Sequence, residues 1–241
     1  QHTGVPQVGF SILMKDDLGN RMKHNFEDRT RHYLPRRTYT IVRVDGKAFH
    51  SLTKGCDRPF DINFMHAMDD TALTLCEEIQ GARCAFVQSD EISFLLTDFE
   101  TIKTDAWFDG NLQKIVSVVA SMATSTFSAL FDRMALFDAR AFTIPDPTEV
   151  ENYFIWRQKD AMRNAIQMAA QSIYSPQELH GKSCLEQLDM LSLAGFSWRD
   201  HGNRARYGGM VIHDFIWRMV DTPVFTEDRA FLTNLIPRYP A

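Results

Sequence analysis

Between Thr38 and Val44 (TYTIVRV) the chain is β-branched and aromatic, and the run stops at Asp45-Gly46, which predicts a strand feeding a turn. Beyond it, Asp61 is a helix-capping residue followed by Met65, Met68, Ala72, Leu75, Cys76 and Ile79 at helical spacing, and Gly81 ends the pattern. Two short apolar segments come next, Cys84 to Val87 and Ile92 to Leu96, interrupted by Ser89-Asp90-Glu91. A second amphipathic helix is predicted over 111–131, with Ile115, Val118, Val119, Met122 and Leu130 facing inward, and then a strand from Phe137 to Ile144.

From Asp146 a long helix is signalled, with Pro147 in its first turn and Glu149 and Glu151 at the positive end of its dipole. At about 100° per residue, Val150, Phe154, Ala161, Ala165 and Met168 form one apolar seam, while Trp156, Asp160, Arg163, Asn164, Gln167 and Gln171 gather opposite. The remaining third, punctuated by Ser175-Pro176, Gly181, Gly195, Gly202 and Gly208-Gly209, predicts short helices and a hairpin around Met210 to Phe215. The pattern therefore predicts an α+β fold whose βαββαβ order is the ferredoxin-like arrangement, with the first and third strands side by side. In that topology Asp45 and the hairpin carrying Asp90 meet. The expected organisation is residues 1–13 as a leader or added extension, 14–145 as the βαββαβ domain, and 146–241 as a helical and hairpin extension packed on it.

The 241 residues are 44% hydrophobic and 24% charged, ordinary for a globular chain, with no low-complexity tract or repeat. No apolar run approaches the roughly 20 residues of a membrane span and no secretory signal opens the chain, so a cytoplasmic protein without a membrane partner is expected. Cys56, Cys76, Cys84 and Cys184 lack zinc-site spacing and are read as free thiols. A net charge of −5 argues against a surface that is wholly a nucleic-acid platform. It also conceals a basic concentration at 21–37: Arg21, Lys23, Arg29, Arg31, Arg36 and Arg37, with His24 and His32.

Two adjacent carboxylates between apolar strands are costly to bury without a compensating cation. Asp45 alongside Asp90 makes an oxygen-rich pocket suited to Mg²⁺, and Gly46 lets backbone approach an ion or phosphate closely. Ions held this way serve phosphoryl and nucleotidyl transfer; the plain alternative is that both aspartates cap turns. No phosphate-binding glycine loop occurs, the residues after Asp45 do not form an aspartyl-phosphatase motif, and His50, His180 and His201 are scattered.

The runs RVDGKAFH (Arg43 to His50), QSDEISF (Gln88 to Phe94), FDAR (Phe137 to Arg140) and YFIWRQKDAMRN (Tyr153 to Asn164) resemble the tRNA-histidine guanylyltransferase family, especially its bacterial and archaeal guanylyltransferase-like branch. The similarity runs from about Met14 to the Met210 region. It implies a polymerase-type palm that adds nucleotides to the 5′ end of tRNA in the 3′–5′ direction, as a homotetramer, with ATP and GTP as substrates and two Mg²⁺ ions. By the same resemblance Asp45 and Asp90 are the catalytic, metal-binding aspartates and Gly46 supplies a metal-contacting carbonyl. Arg43, Lys47, Ala48, Phe49, His50, Ser89 and Lys114 are expected at the nucleotide, and Arg140, Arg157, Arg163, Asn164 and Lys182 at RNA. Glu91 is read as supporting the metal site or the fold rather than as a general base.

Where eukaryotic-type enzymes carry a His-Ile-Asn-Asn stretch, this chain has Met162, Arg163, Asn164 and Ala165, and FDAR replaces the commoner F-D-G-R. The first departure favours template-dependent repair of truncated 5′ ends over addition of a single G to histidine tRNA. Two rivals from other classes are a palm-type nucleotide cyclase and a non-catalytic RNA-binding module; the low basicity disfavours the latter.

Overall fold

The computed structural model describes residues 16–239, which fall into two compact units, one ending at His32 and the other starting at Tyr33. The expectation for residues 1–13 lies outside the described residues. In the first unit, Asp16 accepts a hydrogen bond from the Gly19 amide (2.8 Å) and caps helix α1, Asp17–Met22, which continues as a π turn and a 3-10 turn to Thr30. Arg31, part of the basic concentration, is paired with Glu27 and Asp28.

The second unit is built on an antiparallel six-stranded sheet in the order β4-β1-β3-β2-β5-β6. Its strands are β1 (Tyr39–Gly46), β2 (Ala82–Gln88), β3 (Glu91–Leu96), β4 (Phe137–Ile144), β5 (Gly209–Asp214) and β6 (Ile216–Asp221). Nine helices are described across both units: after α1 come α2 (Phe49–Leu52), α3 (Ile62–Glu78), α4 (Leu112–Phe131), α5 (Pro147–Gln171), α6 (Pro176–Leu179), α7 (Cys184–Leu193), α8 (Asn203–Tyr207) and α9 (Arg229–Leu235). β1 and β3 are neighbours, as the element order demands, with Asp45 opposite Glu91. The C-terminal third adds β5 and β6 to the same sheet through the β2–β5 pairing.

Both faces of the sheet are covered, so every residue of β3 is buried and its alternation is invisible as polarity. Val42, Val44, Ala85, Val87, Ile92 and Phe94 pack in one core with α3 and α4, whereas Tyr39, Ile41, Cys84, Phe86 and Leu95 pack in a second core with Val150 and Phe154 of α5. By that parity Arg43, Asp45, Gln88 and Glu91 all lie on the α5 face. Asp61 caps α3 through the Phe64 amide, Asn111 caps α4 through Lys114, and Asp146 caps α5 through Thr148 and Glu149.

Several inward assignments shift. Leu130 is 48% exposed and Met168 37%, while Ala123 and Phe127 carry the α4 seam with Ile115 and Val119. Leu130 and Met168 both lie in the last turns of their helices, where neither joins a core cluster. α4 also corrects the expectation that no segment matches a membrane span: its length and mean hydropathy of 1.4 suffice by composition. Here it presents Ile115, Val119, Ala123 and Phe127 to the sheet.

Candidate active site

The β2–β3 hairpin turns on two residues, Ser89 and Asp90, with Ser89 in the left-handed region (φ 44°) that two-residue turns favour. Glu91, read from sequence as part of the turn, is the first residue of β3. The Gly46 amide donates to the Asp90 carbonyl (3.0 Å), which locks the end of β1 to the hairpin tip. Asp45 and Asp90, 45 positions apart in the chain, thus become neighbours. Burial first, and then the charge of Asp45, push the Asp90 carboxyl pKa up to about 6. Two carboxylates held this way call for a cation.

Glu91 is held differently. Its carboxylate accepts from Arg157 Nε (2.8 Å) and Nη2 (2.6 Å) and from Ser93 Oγ (3.2 Å), with both charged side chains under one-tenth exposed. Arg157 also bonds Asp160, and Arg43 Nε lies 3.8 Å from Glu91. Arg157 is therefore not an exposed RNA contact as expected. It sits on the sheet-facing side of α5 because that helix crosses over the Glu91 end of β3, and only there does a buried carboxylate match it.

Two clefts flank the hairpin tip and share Ser89 and Asp90. The smaller, about 380 Å³, lies between the sheet and α5 and includes Arg43, Asp45, Gln88, Trp156, Asp160 and Asn164. The larger, about 570 Å³, includes Gly46, Ala48, His50, Phe60, Met168, Gln171 and Arg204. Ala48 turns the chain out of β1 in the left-handed conformation (φ 58°). A Cβ on Gly46 would collide with the Phe49 ring. Phe49 itself is 5% exposed and packs on Phe64, Phe127 and Phe137, so it is a core ring whose edge borders the larger cleft. Lys47 is exposed, with its amide bonded to Leu136.

Other expected residues are not brought here. Lys114 occupies the first turn of α4 with its ammonium 5.9 Å from the Phe108 ring centroid, and it lines neither cleft. β3 runs away from Asp90, so the helix that follows it begins at the far end of the sheet. Arg140 and Arg163 are exposed, at 52% and 59% of their side chains, and each is paired with an aspartate, Asp138 and Asp160. Lys182 is exposed between α6 and α7, outside both clefts. Arg36, from the basic segment, is engaged by Asp98, Asp105 and Asp109.

Sequence reasoning passed over Gln88, Arg204 and the Glu91–Arg157 pair. Arg204 is fixed by Asp69 (Nε to Oδ1 2.8 Å) across a sequence separation of 135. For the pair, a signal existed: a carboxylate opening a largely apolar strand and an arginine beside the apolar seam of a helix each need a partner. Among the described residues no group of three or more His, Cys, Asp or Glu is placed to hold a metal ion; with Glu91 committed to Arg157, the carboxylates left at the tip are those of Asp45 and Asp90.

The model of the family described as Thg1, tRNAHis guanylyltransferase, matches residues 19–145, just over half the chain. A solved bacterial tRNA(His) guanylyltransferase (Thg1)-like protein in complex with ATP is 38% identical, with a TM-score of 0.87, over 91% of this chain and 99% of that one. A GTP complex of such a protein is 37% identical with a TM-score of 0.78, over 91% and 99%. The tRNA(His) guanylyltransferase of Debaryomyces hansenii is 31% identical over 54% of this chain and 52% of its own, so the match spans about half the length of that relative. With the motif-bearing strands, the hairpin carboxylates and these matches in agreement, the chain belongs to the tRNA(His) guanylyltransferase family, a family of nucleotidyltransferases.

Proposed function

We propose that the chain is a 3′–5′ nucleotidyltransferase that repairs truncated 5′ ends of tRNA by copying the opposite strand, on a ferredoxin-like, polymerase-type palm. The observation that carries this reading is the convergence of Asp45 and Asp90 at a tip shared by two clefts. The strand order β4-β1-β3-β2 agrees with a palm of this type. ATP and GTP complexes of similar bacterial proteins support both nucleotides as substrates.

Asp45, Asp90 and the Gly46 carbonyl suit Mg²⁺, a hard cation that takes carboxylate, carbonyl and water oxygens. Bound there, Mg²⁺ would neutralise phosphate charge and activate the attacking oxygen. The protein's own part is placement. The larger cleft, with Ala48, His50 and Ser89 at its hairpin side, receives the triphosphate; the smaller receives the RNA end.

The RNA 5′-monophosphate attacks the α-phosphorus of ATP or GTP and pyrophosphate leaves. The 3′-hydroxyl of an incoming nucleotide, paired to the opposite strand, then displaces the nucleoside monophosphate from the activated end. Base pairing chooses the nucleotide. A homotetramer completes the reading, so that modest basic patches on several subunits combine on one tRNA.

The test is a panel of 5′-truncated, 5′-monophosphorylated tRNAs with each triphosphate in turn. Extension by several nucleotides complementary to the facing strand is expected, and Asp45→Asn and Asp90→Asn should abolish it without loss of fold. A single G added whatever the facing base would overturn repair in favour of the guanylyltransferase activity; triphosphate consumption without RNA would indicate a cyclase. tRNA retention without turnover would leave only a binding module.

A further inference from the structure

Five buried side-chain nitrogen or oxygen atoms have no hydrogen-bond partner among the described residues, and two of them, Arg43 Nε and Gln88 Oε1, border the same cleft. Each such atom costs about 1–3 kcal/mol when left unmet, so the folded chain keeps two expensive groups at the edge of its candidate active site. Gln88 is only 2% exposed, and its position is fixed by cross-strand pairing with Glu91. Arg43 lies on the opposite flank of Glu91, held within 3.8 Å of it. β1 and β2 stand two strand spacings apart, about 10 Å, and their side chains converge on the cleft between them.

This arrangement specifies its ligand. A fixed donor beside the aspartates asks for an anionic oxygen, and a fixed acceptor across the same cleft asks for a hydroxyl or amine hydrogen. Trp156, 53% exposed, adds a wall on the α5 side. One sugar-phosphate unit meets both demands. In a 5′-terminal RNA residue the 3′-hydroxyl is esterified to the next nucleotide, and the base donors are engaged by the facing strand. The 2′-hydroxyl is the donor that remains.

We propose that the smaller cleft seats the 5′-terminal nucleotide of the RNA, with Arg43 donating to its phosphate and Gln88 accepting from its ribose 2′-hydroxyl. The inference rests on the RNA 5′-end chemistry proposed above and adds to it a residue that reads ribose at one defined position.

The experiment compares 5′-monophosphorylated RNA substrates that differ only at the sugar of the terminal residue: ribose, 2′-deoxyribose or 2′-fluoro, which accepts but cannot donate. The readout is kcat/KM for the first addition. Wild type should favour ribose over both analogues by about 10–100-fold, the worth of one buried hydrogen bond. Gln88→Met, close in length and without the orphan oxygen, should bring all three to within a few-fold of each other, its folding being checked by thermal denaturation.

Equal use of the three sugars by wild type overturns the proposal even if the variant does not fold. A 2′-fluoro substrate as good as ribose does the same, because it shows that sugar pucker and not donation is read. Discrimination that survives Gln88→Met also overturns it, while leaving the 5′-end chemistry intact. Failure of wild type to extend any of the three would instead bring down the underlying reading.

Discussion

Replacing Arg157 with Met tests whether α5 clamps the acidic β2–β3 hairpin. The substitution keeps length and apolar volume but removes both bonds to Glu91, at 2.8 and 2.6 Å, and the bond to Asp160. The Glu91 side chain, 8% exposed, is then left with Ser93 Oγ at 3.2 Å and Arg43 at 3.8 Å. Removing one partner of a buried ion pair typically costs about 3–5 kcal/mol, because the other charge stays desolvated. For a chain of this size, at about 2–4 °C per kcal/mol, the melting temperature should fall by about 6–20 °C. Thermal and urea denaturation in chelator, on wild type, Arg157→Met and the double variant Glu91→Leu with Arg157→Met, provide the measurement. The double variant should recover most of the loss, since an apolar pair in the same space removes the stranded charge. A loss below about 1 kcal/mol for the single variant, the level of a surface pair, would refute the clamp. So would a double variant no more stable than the single one.

Gly46→Ala should lower stability by about 1–3 kcal/mol and nucleotide addition with it, because the added methyl meets the packed Phe49 ring; denaturation midpoints and turnover report this. Lys114→Ala should leave triphosphate affinity within a few-fold of wild type, since the residue lies at the far end of the sheet; a large loss in an equilibrium nucleotide-binding titration would contradict the placement. At Glu151, burial opposes ionisation but Arg229, Thr233 and Arg238 outweigh it and hold the carboxyl below its ordinary value of 4.5. A depressed folded pKa stabilises above 4.5 and the gain disappears as pH falls through the lower folded value. Wild type should therefore exceed Glu151→Gln in stability at neutral pH, with the gap closing below pH 4.5; a gap constant across that range would refute the assignment.

Much of the scaffold was legible because it is local. The Asp61 and Asp146 caps, the strand at Phe137–Ile144 and the acidic hairpin each rest on a few neighbouring residues, and the element order alone puts β1 beside β3. Asp45 and Asp90 could be paired from that order, because a strand end and a hairpin tip at one edge of a sheet have few other places to go. The motif resemblance supplied roles that spacing alone does not carry.

What the tertiary structure decided was direction and partnership. Lys114 resembles a family lysine by alignment, yet the run of β3 away from the hairpin carries it to the other end of the sheet. Arg157 reads as one more charge on a polar helix face, and only the crossing of α5 over Glu91 turns it into a buried partner. Gln88 carries no local signal at all; its unmet oxygen becomes meaningful because Arg43, 45 positions earlier, borders the same cleft. Periodicity specifies which residues share a face within one element. Which faces and charges then meet depends on the paths of separate elements through space, and those are set by the packing of the whole sheet.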